Sequence, residues 1–160
     1  MKSRKFGMNL FSFQSVASDM AGEHPVIEVQ LKTRRNPAAI APVVEQLMWV
    51  IKACQCVHRE DRGVETALHE ALKIAVAASG VKANEVLDDI CVKCRCESET
   101  EVWVMIGFAR TKAARAEDLG MDSAVHLIKG CVDEVRFEKD GNSLHLRQRR
   151  DSLRALSLRP

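Results

Sequence analysis

The apolar residues of this chain change their period part-way along, and that change most narrows the folds open to it. Between Pro37 and Ser79 they recur at steps of three and four, and from Ile90 onward at steps of two. The first pattern belongs to helices that bury one stripe, the second to strands that bury one face. In the segment from about Pro37 to Val57, Ile40, Val43, Val44, Leu47, Met48, Ile51 and Cys54 line up as one apolar stripe, and Asn36-Pro37 offers an N-cap followed by proline in the first turn. Arg62-Gly63 interrupts the pattern. A second helix follows from about Val64 to Ser79, with Val64, Ala67, Leu68, Ala71, Leu72, Ala75 and Val76 on its inner face and Gly80 positioned to end it.

Strand signals flank this helical pair. Val26, Ile27, Val29 and Leu31 nearly alternate with Glu28, Gln30 and Lys32. Later, Ile90, Val92, Cys94 and Cys96 fall on one side of a strand and Lys93, Arg95 and Glu97 on the other, with Glu99-Thr100 turning the chain into Val102 to Ile106. Ala109 to Leu119 is compatible with a helix, Met121 to Gly130 reads as a short one, and Val132–Glu138 and Leu144–Arg149 form a hairpin about Asp140-Gly141. This order predicts an α+β, two-layer sandwich with helices on one face of a mixed, mostly antiparallel sheet. The expected division is a loose N-terminal arm over 1–24, with an edge strand near Leu10 to Phe13, a domain over 25–150 and a basic tail over 151–160.

Charge and apolar run lengths exclude several functions. Twenty-four Lys and Arg face 22 Asp and Glu, so the net charge of +2 sets up no strong field toward nucleic acid or lipid. Arg147, Arg149, Arg150, Arg154 and Arg159 lack aromatic interleaving and read as a solvated, frayed terminus rather than a nucleic-acid surface. The apolar stretch Val43 to Ile51 contains Glu45 and Gln46 and falls short of the roughly 20 residues of a membrane span. Lys2, Arg4 and Lys5 before Phe6 to Phe13 imitate an export signal, but Asn9 and Ser12 interrupt its apolar part, so a cytoplasmic chain with reduced thiols is expected.

The six cysteines include Cys54-x-Cys56-x-His58 and Cys91-x-x-Cys94-x-Cys96, residue types that suit zinc. On the first helix Cys54 and Cys56 stand about 200° apart, while a strand puts Cys91 on the face opposite Cys94 and Cys96. Neither set then converges. The expectation is no metal, with most cysteines serving as small core residues and a metal- or redox-responsive regulator as the lesser reading.

Three strings carry a family resemblance: His69-Glu70-Ala71-Leu72 in the second helix, Val92-Lys93-Cys94-Arg95-Cys96 in the first hairpin, and Val132-Asp133-Glu134-Val135-Arg136-Phe137-Glu138 near the end. Together with the element order, from about Val26 to Arg150, the chain resembles the GHKL ATPases and, within them, the small anti-sigma-factor serine kinases. The resemblance implies ATP held between the helices and a lid. It also implies a helix written E-x-x-x-N, in which the acid orients a hydroxyl or water and the amide oxygen binds magnesium.

Glu70 matches the acid, with His69 as a weaker acid–base candidate, but Ile74 stands at the asparagine position and offers no oxygen to magnesium. The family's adenine-reading D-x-G-x-G is reduced to Gly107-Phe108 with no aspartate before it. The phosphate-cradling glycines are reduced to Gly120, followed by Asp122. The resemblance therefore implies a degenerate member that needs neither ATP nor magnesium and captures a sigma factor or an anti-sigma antagonist through a helix face. Its alternative is an active ATP-dependent serine/threonine kinase with Glu70 as base. Family members often pair, so a homodimer belongs to the same expectation.

Overall fold

The computed structural model describes residues 12–14, 24–77, 90–108, 122–138 and 143–151. The elements are β1 (Ser12–Gln14), β2 (Val26–Thr33), a 3-10 turn (Pro37–Ala39), α1 (Ile40–Ala53), α2 (Gly63–Ala77), β3 (Ile90–Glu97), β4 (Glu101–Gly107), α3 (Asp122–Cys131), β5 (Glu134–Phe137) and β6 (Ser143–Arg149). The strands form one sheet in the order β1-β2-β3-β4-β6-β5, and every described pairing is antiparallel. The result is the expected α+β fold. Ala109 to Leu119, Gly120 and the Asp140-Gly141 turn lie outside the described residues.

The two faces of the sheet follow from side-chain alternation. Val29, Leu31, Ile90, Val92, Val104, Ile106, Leu144 and Leu146 point into the core and are at most 4% exposed. On the same strands the alternate residues Glu28, Lys93, Arg95 and Arg149 point to the other side and are charged. Since the pleat repeats every two residues, a slip of one position would bury those charges, which holds the register. Each apolar side chain so buried contributes roughly 1.5–3 kcal/mol.

Helix α2 packs against α3, α1 and β4 and is the middle helix of its layer. That position widens its buried arc: Ile74, off the expected apolar face, is 3% exposed beside Val64, Ala67, Leu68, Ala71, Leu72 and Ala75. The start of α2 also needs a residue without a side chain. A Cβ on Gly63 would stand 2.5 Å from the Cys131 carbonyl oxygen at the end of α3, and the Gly63 N–H donates to Asp61 Oδ1 at 2.8 Å.

The first helix ends earlier than its periodicity suggests. Asn36 Oδ1 accepts from the Ala38 N–H at 2.9 Å and opens the segment as expected, but α1 stops at Ala53. Gln55 takes the left-handed conformation, φ 54°, and its N–H donates to Lys52 O at 3.1 Å, while the Cys56 N–H reaches back to Ile51 O at 3.3 Å. These two bonds form a Schellman stop, with glutamine where glycine is usual and with buried Ile51 and Cys56 at the positions of its apolar contact.

Arg147 and Arg150 use their basic groups structurally, contrary to the solvated, frayed terminus expected, while the Arg149 side chain is exposed as expected. Arg147 is in β6 with its side chain 22% exposed, paired to Glu101 at 2.9 Å and Glu134 at 3.2 Å. The Arg149 N–H donates to Asp133 Oδ2 at 2.8 Å, and the Arg150 guanidinium donates to Gln55 O at 3.2 Å. Arg154 and Arg159 lie outside the described residues. No helix among the described residues is long and apolar enough to cross a membrane.

Candidate functional site

Helix α2 sets Glu70 at the rim of its buried arc. Counting about 100° per residue, Glu70 and Ile74 are about 40° apart on the helix, yet one is part-exposed and the other is buried. Glu70 Oε1 accepts a hydrogen bond from Lys73 Nζ at 2.8 Å, with the two side chains 20% and 60% exposed. As a base, Glu70 would act from within that pair. His69 is also part-exposed.

Ile74 is 3% exposed and offers no oxygen at the position to which the resemblance assigns a magnesium ligand. Gly107 is the last residue of β4, opposite Cys91, where an added Cβ would come no nearer than 3.7 Å to Cys91 O. Its lack of a side chain is not demanded there by close packing. The remaining walls that the resemblance would give a nucleotide pocket, Gly120 among them, are outside the described residues.

A different set of groups does converge. Cys54, Cys56 and Cys96 place their sulfurs within 4.8 Å of one another, and Cys94 Sγ lies 3.7 Å from Cys96 Sγ. All four are at most 5% exposed. The expectation that Cys54 and Cys56 diverge is therefore overturned. It assumed a helix through Val57, whereas the left-handed Gln55 reverses the chain between the two residues and turns both side chains under the sheet. For β3 the pleat argument holds: Cys94 and Cys96 share the inner face, and Cys91 sits on the outer one, accepting from Gln30 Nε2 at 3.4 Å. His58 stands apart in a surface cleft with Lys52, Gln55, Arg59 and Arg150.

Hydrogen bonds to backbone carbonyls hold the two Cys-x-Cys segments together. The Glu99 N–H and Ser98 Oγ both donate to Cys54 O, at 3.1 and 3.2 Å, and Cys56 Sγ donates to Glu97 O at 3.4 Å. The tip of the β3–β4 hairpin thus caps the end of α1. Burial pushes the Cys54 thiol above its ordinary pKa, reinforced by the neighbouring Cys56. Cys56 is raised further, first by its contact with Cys96 and then by burial, although the positive charge of Arg150 acts in the opposite sense. Cys96 is also raised: a contact with Cys56 favours its thiolate, but Cys94, burial and the neighbouring sulfurs outweigh it. Cys54, Cys56 and Cys96 are therefore neutral thiols at neutral pH unless a cation displaces their protons.

The outer sheet face carries a polar network. Trp103 Nε1 donates to Glu101 Oε1 at 2.8 Å, Arg147 Nε donates to Glu101 Oε2 at 2.9 Å, and the guanidinium carbon lies 4.2 Å from the Trp103 ring centre. Burial raises the Glu101 carboxyl, but the bonds from Trp103 and Arg147 outweigh it and hold the pKa below the ordinary value. The outer face of α1 is less polar than its sequence neighbours suggest, because Trp49 stands 70% exposed there. Its position off the apolar stripe was readable, since tryptophan is absent from the three- and four-residue steps of that helix. Neither the known protein families nor the curated proteins include a match to this chain.

Proposed function

We propose that this protein is a regulatory binding module of the anti-sigma type, working by partner switching rather than by phosphoryl transfer. The observation that carries the reading is Trp49, a large aromatic side chain 70% exposed on the outer face of α1. Exposed tryptophans are the side chains most able to anchor a protein interface, because one ring buries a large area at little entropic cost. The other part of the proposal, the absence of turnover, rests on Ile74: at 3% exposure, it occupies with hydrocarbon the place where the resemblance calls for a magnesium ligand.

The partner class, a sigma factor or an anti-sigma antagonist, follows from the resemblance of Val26 to Arg150 to the anti-sigma kinases. Two measurements test the reading. Thermal unfolding at millimolar ATP–magnesium leaves the midpoint unchanged, since a ligand that binds the folded state raises it once well above its dissociation constant. Pairwise interaction assays against the sigma factors and antagonists encoded in the same genome yield a partner, and Trp49→Ser removes that pairing while leaving the unfolding midpoint in place. A nucleotide-dependent rise in the midpoint would overturn the non-catalytic reading in favour of the serine/threonine kinase with Glu70 as base.

A further inference from the structure

Among the described residues the inner cysteines are the strongest unassigned chemistry, and we infer that the gathered Cys54, Cys56 and Cys96, with Cys94 beside Cys96 as fourth ligand, form a structural tetrathiolate site for a divalent ion of the zinc class. Three features separate the cluster from ordinary core cysteines. Two Cys-x-Cys claws meet from segments nearly forty residues apart in the chain, one at the stop of α1 and one on the inner face of β3. The sulfurs are already close: 3.7 Å for Cys94–Cys96 and within 4.8 Å among Cys54, Cys56 and Cys96. A zinc ion with sulfurs at about 2.3 Å in a tetrahedron needs them roughly 3.8 Å apart, so Cys54, Cys56 and Cys96 close on it by shifts of about 1 Å, while Cys94, beside Cys96 but outside that trio, turns in to complete the set. The third feature is the backbone framework, in which Glu99 and Ser98 hold Cys54 from the hairpin tip while Gln55 is fixed in the left-handed region. Backbone held off its preferred conformation persists where surrounding contacts over-determine it.

The proton balance is explicit. Four thiols and one divalent ion give a complex of charge minus two and four released protons, and the S–H contact from Cys56 to Glu97 O is lost in the process. Arg150, bonded to Gln55 O at 3.2 Å, supplies positive charge beside the site and partly offsets the buried anion. Thiolate selects soft or borderline ions over magnesium or calcium, and sulfurs gathered this closely suit a single ion. With every ligand at most 5% exposed, the ion enters as the chain folds or as the hairpin lifts, so its binding is linked to stability.

The test uses the full chain without a histidine tag, purified reduced and anaerobically, stripped of metal and titrated with Co2+ alone and then Zn2+ alone. The expected result is one ion per chain, a tetrahedral cobalt spectrum with thiolate charge-transfer bands and release of about four protons per ion. Cys96→Ser weakens binding by more than the roughly 10–100-fold typical of losing an outer-shell partner. Cys91→Ser and Cys131→Ser leave it unchanged. Because Cys96→Ser can fail to fold, X-ray absorption of the zinc-loaded unaltered protein gives an independent reading, with four sulfurs at about 2.3 Å expected. Failure to retain one ion per chain at micromolar metal, an octahedral oxygen-rich shell, or a disulfide among the four in the anaerobic protein would each overturn the inference. None of these outcomes bears on Trp49 or Ile74, so the proposed function stands or falls separately.

Discussion

The Glu70–Ile74 turn of α2 and the Cys54–Cys56 turn that closes α1 invite opposite readings from sequence and reverse them in space. The first has the spacing that puts two side chains on one helix face, and the helix is regular there, yet one position is held by a lysine and the other is sealed in the core. The second has a spacing that a regular helix would splay apart, yet the helix stops and the side chains meet. Spacing thus carries chemistry only as far as the element carrying it continues. A helix end, set by hydrogen bonds among a handful of residues, decides more about the site than the residues' identities do.

Replacing Ile74 with asparagine sharpens the contrast most. If the position is core, Ile74→Asn removes buried hydrocarbon and leaves an amide without partners, for a loss of about 3–5 kcal/mol read from urea unfolding midpoints. A loss near zero, with a new magnesium-dependent nucleotide response, would place this turn beside a working pocket.

The hairpin that caps Cys54 is gripped from its outer face through Glu101, where Glu101→Gln is expected to cost about 2 kcal/mol at neutral pH. The Glu101 carboxyl is depressed in the folded protein, so its contribution is fully present above the unfolded value near 4.5 and disappears as pH falls through the lower folded value. The stability difference between the wild type and Glu101→Gln should therefore shrink in acid; a difference constant from pH 7 to pH 3 would assign the network another origin.

Smaller effects test the helix ends themselves. Gln55→Val places a β-branched side chain at φ 54°, and a destabilisation of about 1–2 kcal/mol is expected by chemical denaturation. The same variant also weakens cobalt binding, because it loosens the turn that aims Cys54 and Cys56. Lys73→Ala should change stability by only about 0.3 kcal/mol, the usual scale of an exposed helical ion pair. A larger change in a thermal scan would show that the Glu70 carboxylate depends on its lysine for more than surface charge.

The alternation of β3 placed Cys94 and Cys96 together and Cys91 apart, because a strand's period of two is enforced wherever one face is buried. The stripe of α1 placed Ile40 through Ile51 in the core for the same kind of reason. Ile74 was misplaced by its own helix pattern, since only the arrival of α3 on a second flank widened the buried arc of α2. Arg147 and Arg150 looked like a loose basic end because their partners, Glu101, Glu134 and the Gln55 carbonyl, are at least 13 residues away in the chain.

What the amino-acid sequence determined by itself was the periodic part: which segments are helices or strands, which face of each is apolar, and so an α+β sandwich with one covered sheet face. What only tertiary structure decided was where two such segments meet and where a helix stops short. Periodicity is a local steric property of the backbone, whereas the meeting of the Cys54, Cys56 and Cys96 sulfurs depends on a left-handed residue and on hairpin bonds formed across more than forty positions.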